Sequence, residues 1–139
     1  MKATPYLNFH GQCREAFELY AKVLNGKIEA MISLGDSPMA GEVPAEIHHT
    51  IMHAHLVADD VELMASDSMG GHYERPAGLY VSLHVESPDE ADRIFNAFAD
   101  GGKVTMPIEE TFWAKRFGMV VDRFGTPWMV NCSNDWRPE

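Results

Sequence analysis

His53-Ala54-His55, with Glu62 seven residues beyond the second histidine, is the grouping in this chain whose types and spacing could do most chemistry. Two histidines two apart on an extended strand project to the same side. A carboxylate on a neighbouring strand would complete a two-histidine, one-carboxylate set for a divalent metal such as zinc, iron or manganese. Same-face strand neighbours stand roughly 6 to 7 Å apart, which is wide for two ligands of one ion unless the strand bends. The same residues therefore also read as histidines lining a polar groove, or as a metal-free acid/base set. His10 and His84 are the candidate proton carriers, because imidazole changes charge near neutral pH.

The elements that must position these residues follow a repeated plan. Pro5 to Ala30 reads as strand, turn, amphipathic helix, glycine stop and strand, and Tyr80 to Met106 reads the same way. A shift of 76 positions (Lys103 minus Lys27) places Leu83 on Leu7, Phe95 on Leu19 and Gly102 on Gly26 without a gap. The first helix runs from about Arg14 to Leu24. The second has the stronger start, with Ser87 as cap, Pro88 in the first turn and Glu90 three past the cap. Thr50 to Ala58 and Val61 to Ser66 form a hairpin about Asp59-Asp60. In the second half, strands are expected over Lys103 to Ile108, about Phe117 to Asp122 and about Trp128 to Cys132. Gly35 to His49 is too rich in Gly, Pro and polar residues for regular structure.

The order is βαβββ twice, over residues 1–72 and 73–139. The expected fold is α+β: two βαβββ modules fused into one structural unit, forming a curved mixed sheet around a central cavity, with the helices outside.

Strand parity then selects a ligand face. If Leu7/Phe9, Met52/Ala54/Leu56, Val61/Leu63/Ala65 and Val81/Leu83/Val85 pack under helices, their neighbours face the other way. That face carries Tyr6, Asn8, Met64, Ser66, Tyr80, Ser82, Met129 and Asn131 as candidate ligand-binding residues, beside the histidines and Glu62. Burying so many polar groups dry would cost about 1 to 3 kcal/mol for each unmet donor or acceptor. Water or a small polar organic ligand should occupy the site. Trp113 and Arg116 could hold an anionic substrate there, or form an oligomer contact. His48 and His49 read as solvated loop residues, His72 and Tyr73 as part of a glycine-rich loop, Trp128 as facing the helices and Trp136 as a docking residue.

The formal charge of −10 disfavours nucleic acid and anionic membrane surfaces as partners. No leader-like or membrane-spanning run occurs, so a cytoplasmic protein is expected. With 45% apolar residues the chain can build a core without crosslinks, and Cys13 and Cys132 are expected as buried free thiols. A phosphate-cradling glycine loop, Cys-x-x-Cys and Gly-x-Ser-x-Gly are all missing, which disfavours dinucleotide, P-loop and triad chemistry.

The segments PYLNFHGQCREAFELYAKVLNG, IMHAHL, VELMASD, YVSLHVESPDEADRIFNAFADGG and VVDRFGTPWMVN, in this order, span most of the chain. In these it resembles the vicinal oxygen chelate superfamily (glyoxalase, bleomycin resistance and extradiol dioxygenase proteins). Within that superfamily it is similar to the PhnB-like group labelled 3-demethylubiquinone-9 3-methyltransferase-like. The resemblance implies paired modules around a ligand cavity and a homodimer, with modules exchanged between subunits in some members. It implies a small-molecule-binding protein, either a lyase, isomerase or oxygenase acting beside oxygen-bearing carbons or a non-catalytic ligand-binding protein. Metal-dependent members hold their ion on the first, fourth, fifth and eighth strands. Those positions fall here near Thr4 or Pro5, on Glu62, on Tyr80 and on Met129. Only Glu62 is a good ligand, so a metal would need a different site built from His53, His55 or His84.

Overall fold

The computed structural model describes residues 1–135, so Trp136 lies outside the described residues. The chain divides into two compact units, Met1–Glu74 and Arg75–Glu139. In the first, β1 (Tyr6–Phe9) leads to α1 (Cys13–Leu24), then β2 (Lys27–Ser33), β3 (Ile51–Ala58) and β4 (Val61–Asp67). The second repeats the order with β5 (Val81–Val85), α2 (Pro88–Ala99), β6 (Lys103–Glu109), β7 (Ala114–Val121) and β8 (Pro127–Ser133).

Each unit has its own four-stranded mixed sheet, ordered β1-β4-β3-β2 in the first and β5-β8-β7-β6 in the second. The first and last strands of each unit pair in parallel and the other pairs are antiparallel. The single curved sheet expected from the sequence is thus corrected: there are two separate sheets, and neither is strongly curled. The helix crossover returns each chain segment to its own sheet, where the ladder is completed locally.

Both sheets place one face under their helix. Phe17, Tyr20 and Val23 of α1 are buried with Leu7, Phe9, Leu56, Leu63 and Ala65. In the second unit Phe95 and Phe98 of α2 are buried with Leu83, Val120, Trp128 and Val130, and the Phe98 and Trp128 rings stack at 4.4 Å. Met52 departs from the expected pattern and is exposed, while Ile51 is buried. Between Ile32↔His53 and Ser33↔Ile51 the β2–β3 register skips Met52, and a bulge of this kind re-aims side chains.

The matched glycines of the repeat share one physical role. A Cβ on Gly26 would stand 2.8 Å from Ala58 Cβ and 2.9 Å from Val57 O. One on Gly102 would stand 2.4 Å from Val121 O and 2.8 Å from Phe98 O. In each unit the chain leaving the helix is pressed against the end of the third strand, and only glycine leaves room.

The helix starts differ. Ser87 Oγ accepts the Glu90 N–H at 3.0 Å, as the capping box requires, but Gln12 gives α1 no side-chain cap. The segment after β2 is more regular than expected, with 3₁₀ turns at Leu34–Asp36, Ala40–Glu42 and Ala45–Ile47. His48 helps hold it: its Nε2–H is shared between the carbonyls of Ala40 and Val43 at 2.9 and 3.1 Å. Among the described residues no helix is long and apolar enough to cross a membrane.

Candidate functional site

The face of the first sheet turned away from α1 carries the polar residues. Tyr6 pairs in register with Met64, Met64 with His55, Asn8 with Ser66 and Ile32 with His53. The Tyr6 hydroxyl lies 3.3 Å from His53 Nδ1, with the two rings nearly parallel at 6.0 Å. Farther along β3, His55 Nε2 lies 2.7 Å from Glu62 Oε1, and the other carboxylate oxygen, Oε2, bonds the Lys2 ammonium. The Ser66 hydroxyl donates to Asn8 Oδ1 at 3.4 Å. His10 lies just past the end of β1, its ring 5.2 Å from that of Tyr73. Lys2 and then His55, as hydrogen-bond donors to its carboxylate, hold Glu62 below the usual carboxylate range.

In the second unit His84 stands at the centre of a small hydrogen-bonded set. Asn131 Nδ2–H donates to His84 Nδ1 at 3.4 Å and to Ser133 Oγ at 2.9 Å. His84 Nε2 in turn lies 3.3 Å from Ser82 Oγ. Because an amide nitrogen only donates, His84 accepts at Nδ1 and carries its proton on Nε2, toward Ser82. Met129 pairs with Ser82 on one side and Met119 on the other, and Tyr80 is exposed just before β5. Trp113 packs edge-to-face against Phe112 and Phe117 at 4.8 and 5.4 Å. Arg116 does not share that environment. It pairs with buried Cys132, on the helix side of the sheet, and its Nε donates to Asp92 of α2 at 3.0 Å.

The two halves are therefore chemically unequal. By register, His53 and His55 of β3 correspond to Phe117 and Met119 of β7, Glu62 to Pro127, and Asn8 to His84. Among the described residues the imidazole–carboxylate pairing belongs to the first unit alone.

Sequence reasoning missed two buried carboxylates. Asp67, at the end of β4, accepts the backbone N–H groups of Cys13 and Ile51 at 3.0 and 2.9 Å. Asp122 accepts those of Phe124 and Thr126 and the indole N–H of Trp128. Both are structural: each satisfies donors that would otherwise be buried unpaired. Lys2 was also missed, since nothing in a lone lysine near the chain start announces a contact with residue 62.

Among the described residues no group of three or more His, Cys, Asp or Glu side chains is placed to hold an ion. His53 is directed to Tyr6, His55 and Glu62 are bonded to one another, and Lys2 takes the remaining carboxylate oxygen.

A duplicated βαβββ chain with a helix on one face of each sheet and a polar second face has the small-molecule-binding architecture of the vicinal oxygen chelate superfamily, PhnB-like group. The chain belongs to the family described as 3-demethylubiquinone-9 3-methyltransferase, whose model matches residues 1–131. Protein YjdN of Escherichia coli K12 is 34% identical over 94% of this chain and 95% of its own length. Protein PA1353 of Pseudomonas aeruginosa is 51% identical, with a TM-score of 0.88 over 97% of this chain and 99% of that one. A PhnB protein from Bacillus cereus shares the fold at 23% identity, with a TM-score of 0.80 over 96% and 100% of the two chains.

Proposed function

We propose that this protein binds a small polar organic molecule on the half-exposed face of its first sheet, where Tyr6, His53 and His55 supply hydrogen bonds and Glu62 orients His55. The observation that carries this reading is the presence, on one half-exposed sheet face, of the Tyr6–His53 and His55–Glu62 contacts side by side. Imidazole and phenol groups suit oxygen-bearing ligands, and an imidazole backed by a carboxylate suits proton transfer beside an oxygen-bearing carbon. An isomerase or lyase is the reaction class that such a pair serves.

Methyl transfer, named in the family's description, is not adopted. The turn from β1 into α1 is Gly11-Gln12-Cys13, and the Asp67 carboxylate already takes the first N–H of the helix.

Titrating lactate, glyoxylate and glycolaldehyde into protein labelled with 13C and 15N at histidine tests the binding reading. Saturable shifts at His53 and His55, lost in His55→Ala, are expected for at least one probe. Shifts confined to residues off this face, or none from any probe, would sink it.

The proposal includes a homodimer. Phe112, Leu79 and Val104 are large apolar side chains left exposed in the second unit, and a partner copy would cover such groups. Sedimentation velocity at micromolar concentration should give twice the chain mass.

A further inference from the structure

In deepening that reading for the same face, we infer that Lys2 supplies from within the chain the positive charge that fixes Glu62 toward His55. His55 is thereby left with its Nδ1 lone pair as the ligand's hydrogen-bond acceptor. Three observations combine. The two oxygens of Glu62 are divided, Oε2 to the Lys2 ammonium and Oε1 to His55 Nε2 at 2.7 Å. A carboxylate is an acceptor only, so Nε2 must carry the hydrogen of that contact. On a neutral imidazole the lone pair then sits on Nδ1, which makes no other hydrogen bond to a described residue.

The alternative arrangement, a neutral carboxyl group donating to Nε2, is opposed by the ammonium on its other oxygen, which favours the ionised form. A metal on Glu62 would have to displace Lys2 and break the His55 contact. The side chains that face Glu62 are Lys2 from the segment before β1 and His55 from β3, while Val57 is its register partner. The second unit has no counterpart, since Pro127 stands where Glu62 does. An Nδ1 lone pair selects ligands: it accepts from an O–H and has nothing to offer an ether or a bare carbonyl oxygen. The ligand class is therefore a hydroxylic molecule, such as a hydroxy acid or an enol.

Lys2 is a positioning residue in this scheme and His55 the group that meets the ligand. The test reads the ring 15N shifts of His55 in ligand-free protein at about pH 8, where imidazole is neutral, against a short histidine peptide. Wild type should show the Nε2–H form in at least fivefold greater excess than the peptide. Lys2→Met and Glu62→Leu should fall to the peptide ratio, with Lys2→Arg restoring it. A peptide-like ratio in wild type, or an unchanged ratio in Lys2→Met, would overturn the inference. So would one equivalent of zinc binding at micromolar concentration with shifts at His55 and Glu62. Lactate should perturb His55 Nδ1 at least tenfold more tightly than 2-methoxypropionate, and equal binding of the two also counts against it. Failure of both to bind tells against the ligand-binding reading, while the tautomer ratio still decides the relay.

Discussion

The carboxylate of Asp67, the last residue of β4, accepts the backbone N–H of Cys13, the first residue of α1, at 3.0 Å. This ties the start of the helix to the end of β4, where Asp67 pairs in register with Phe9, the last residue of β1. It also replaces the side-chain cap that Gln12 does not provide. The second carboxylate oxygen holds Ile51 N–H, where β3 begins. One buried side chain thus fixes the starts of two elements, and an acidic group at a helix N-terminus is also favoured by the helix dipole.

Asp67→Ala should destabilise the protein by about 2 to 6 kcal/mol, because two buried N–H groups lose their acceptor at about 1 to 3 kcal/mol each. Asp67→Asn keeps one acceptor oxygen and should lose roughly half as much. Urea midpoints of the three proteins give the comparison. An Ala variant within 0.5 kcal/mol of wild type, on the order of surface-substitution noise, would show that the contact carries no stability.

Gly26→Ala and Gly102→Ala should each cost about 1 to 3 kcal/mol through overpacking. Gly102→Ala should be the worse, since its nearest obstacles are the backbone oxygens of Val121 and Phe98, which cannot rotate away. Gly41→Ala is the control, with nothing within 4 Å of its added carbon. Thermal unfolding should rank the variants Gly102→Ala, Gly26→Ala, Gly41→Ala in order of decreasing damage.

Both thiols should be silent in the folded protein. Cys13 and Cys132 are buried, and burial, with the Asp67 charge adding to it, pushes the Cys13 thiol up to about 12. The thiolate is the reactive form, so iodoacetamide at pH 8 should label neither residue until denaturant is added. Stoichiometric labelling of Cys13 in native protein would contradict the packing around α1, and labelling of Cys132 the packing of β8.

Glu62 should contribute to acid sensitivity. Its carboxyl is held below the ordinary value in the folded state, first by Lys2 and then by His55. The stability it contributes is complete above the unfolded carboxylate range and is lost as the pH falls through the lowered folded value. Urea midpoints between pH 6 and 2 should therefore fall less steeply for Glu62→Gln than for wild type. Parallel curves would remove Glu62 from the linkage.

Much of the fold was legible because it depends on short-range pattern. Alternation in Tyr6–Phe9, which is exposed, buried, exposed, buried, names both faces of β1. The Ser87–Glu90 capping box marks the start of α2. The matched Gly26 and Gly102 mark equivalent tight spots in a duplicated plan. Long-range pairing was not legible in this way. Whether eight strands make one curved sheet or two separate ones depends on where each ladder closes, and alternation is the same in both cases. The Met52 bulge likewise escaped, because its cause lies in the register with β2.

The same division holds for the site. The residue types and the parity of β3 and β4 were enough to put His53, His55 and Glu62 among the candidates, since side-chain direction on a strand has a period of two. Their roles were decided only by tertiary structure. Tyr6 reaches His53 across β4, Lys2 reaches Glu62 from the chain start, Arg116 turns to Asp92, and Asp67 and Asp122 bind buried backbone donors. Sequence sets which groups can donate, accept or ionise. The fold sets which of them meet, because a hydrogen bond is decided by about 3 Å of space rather than by separation along the chain.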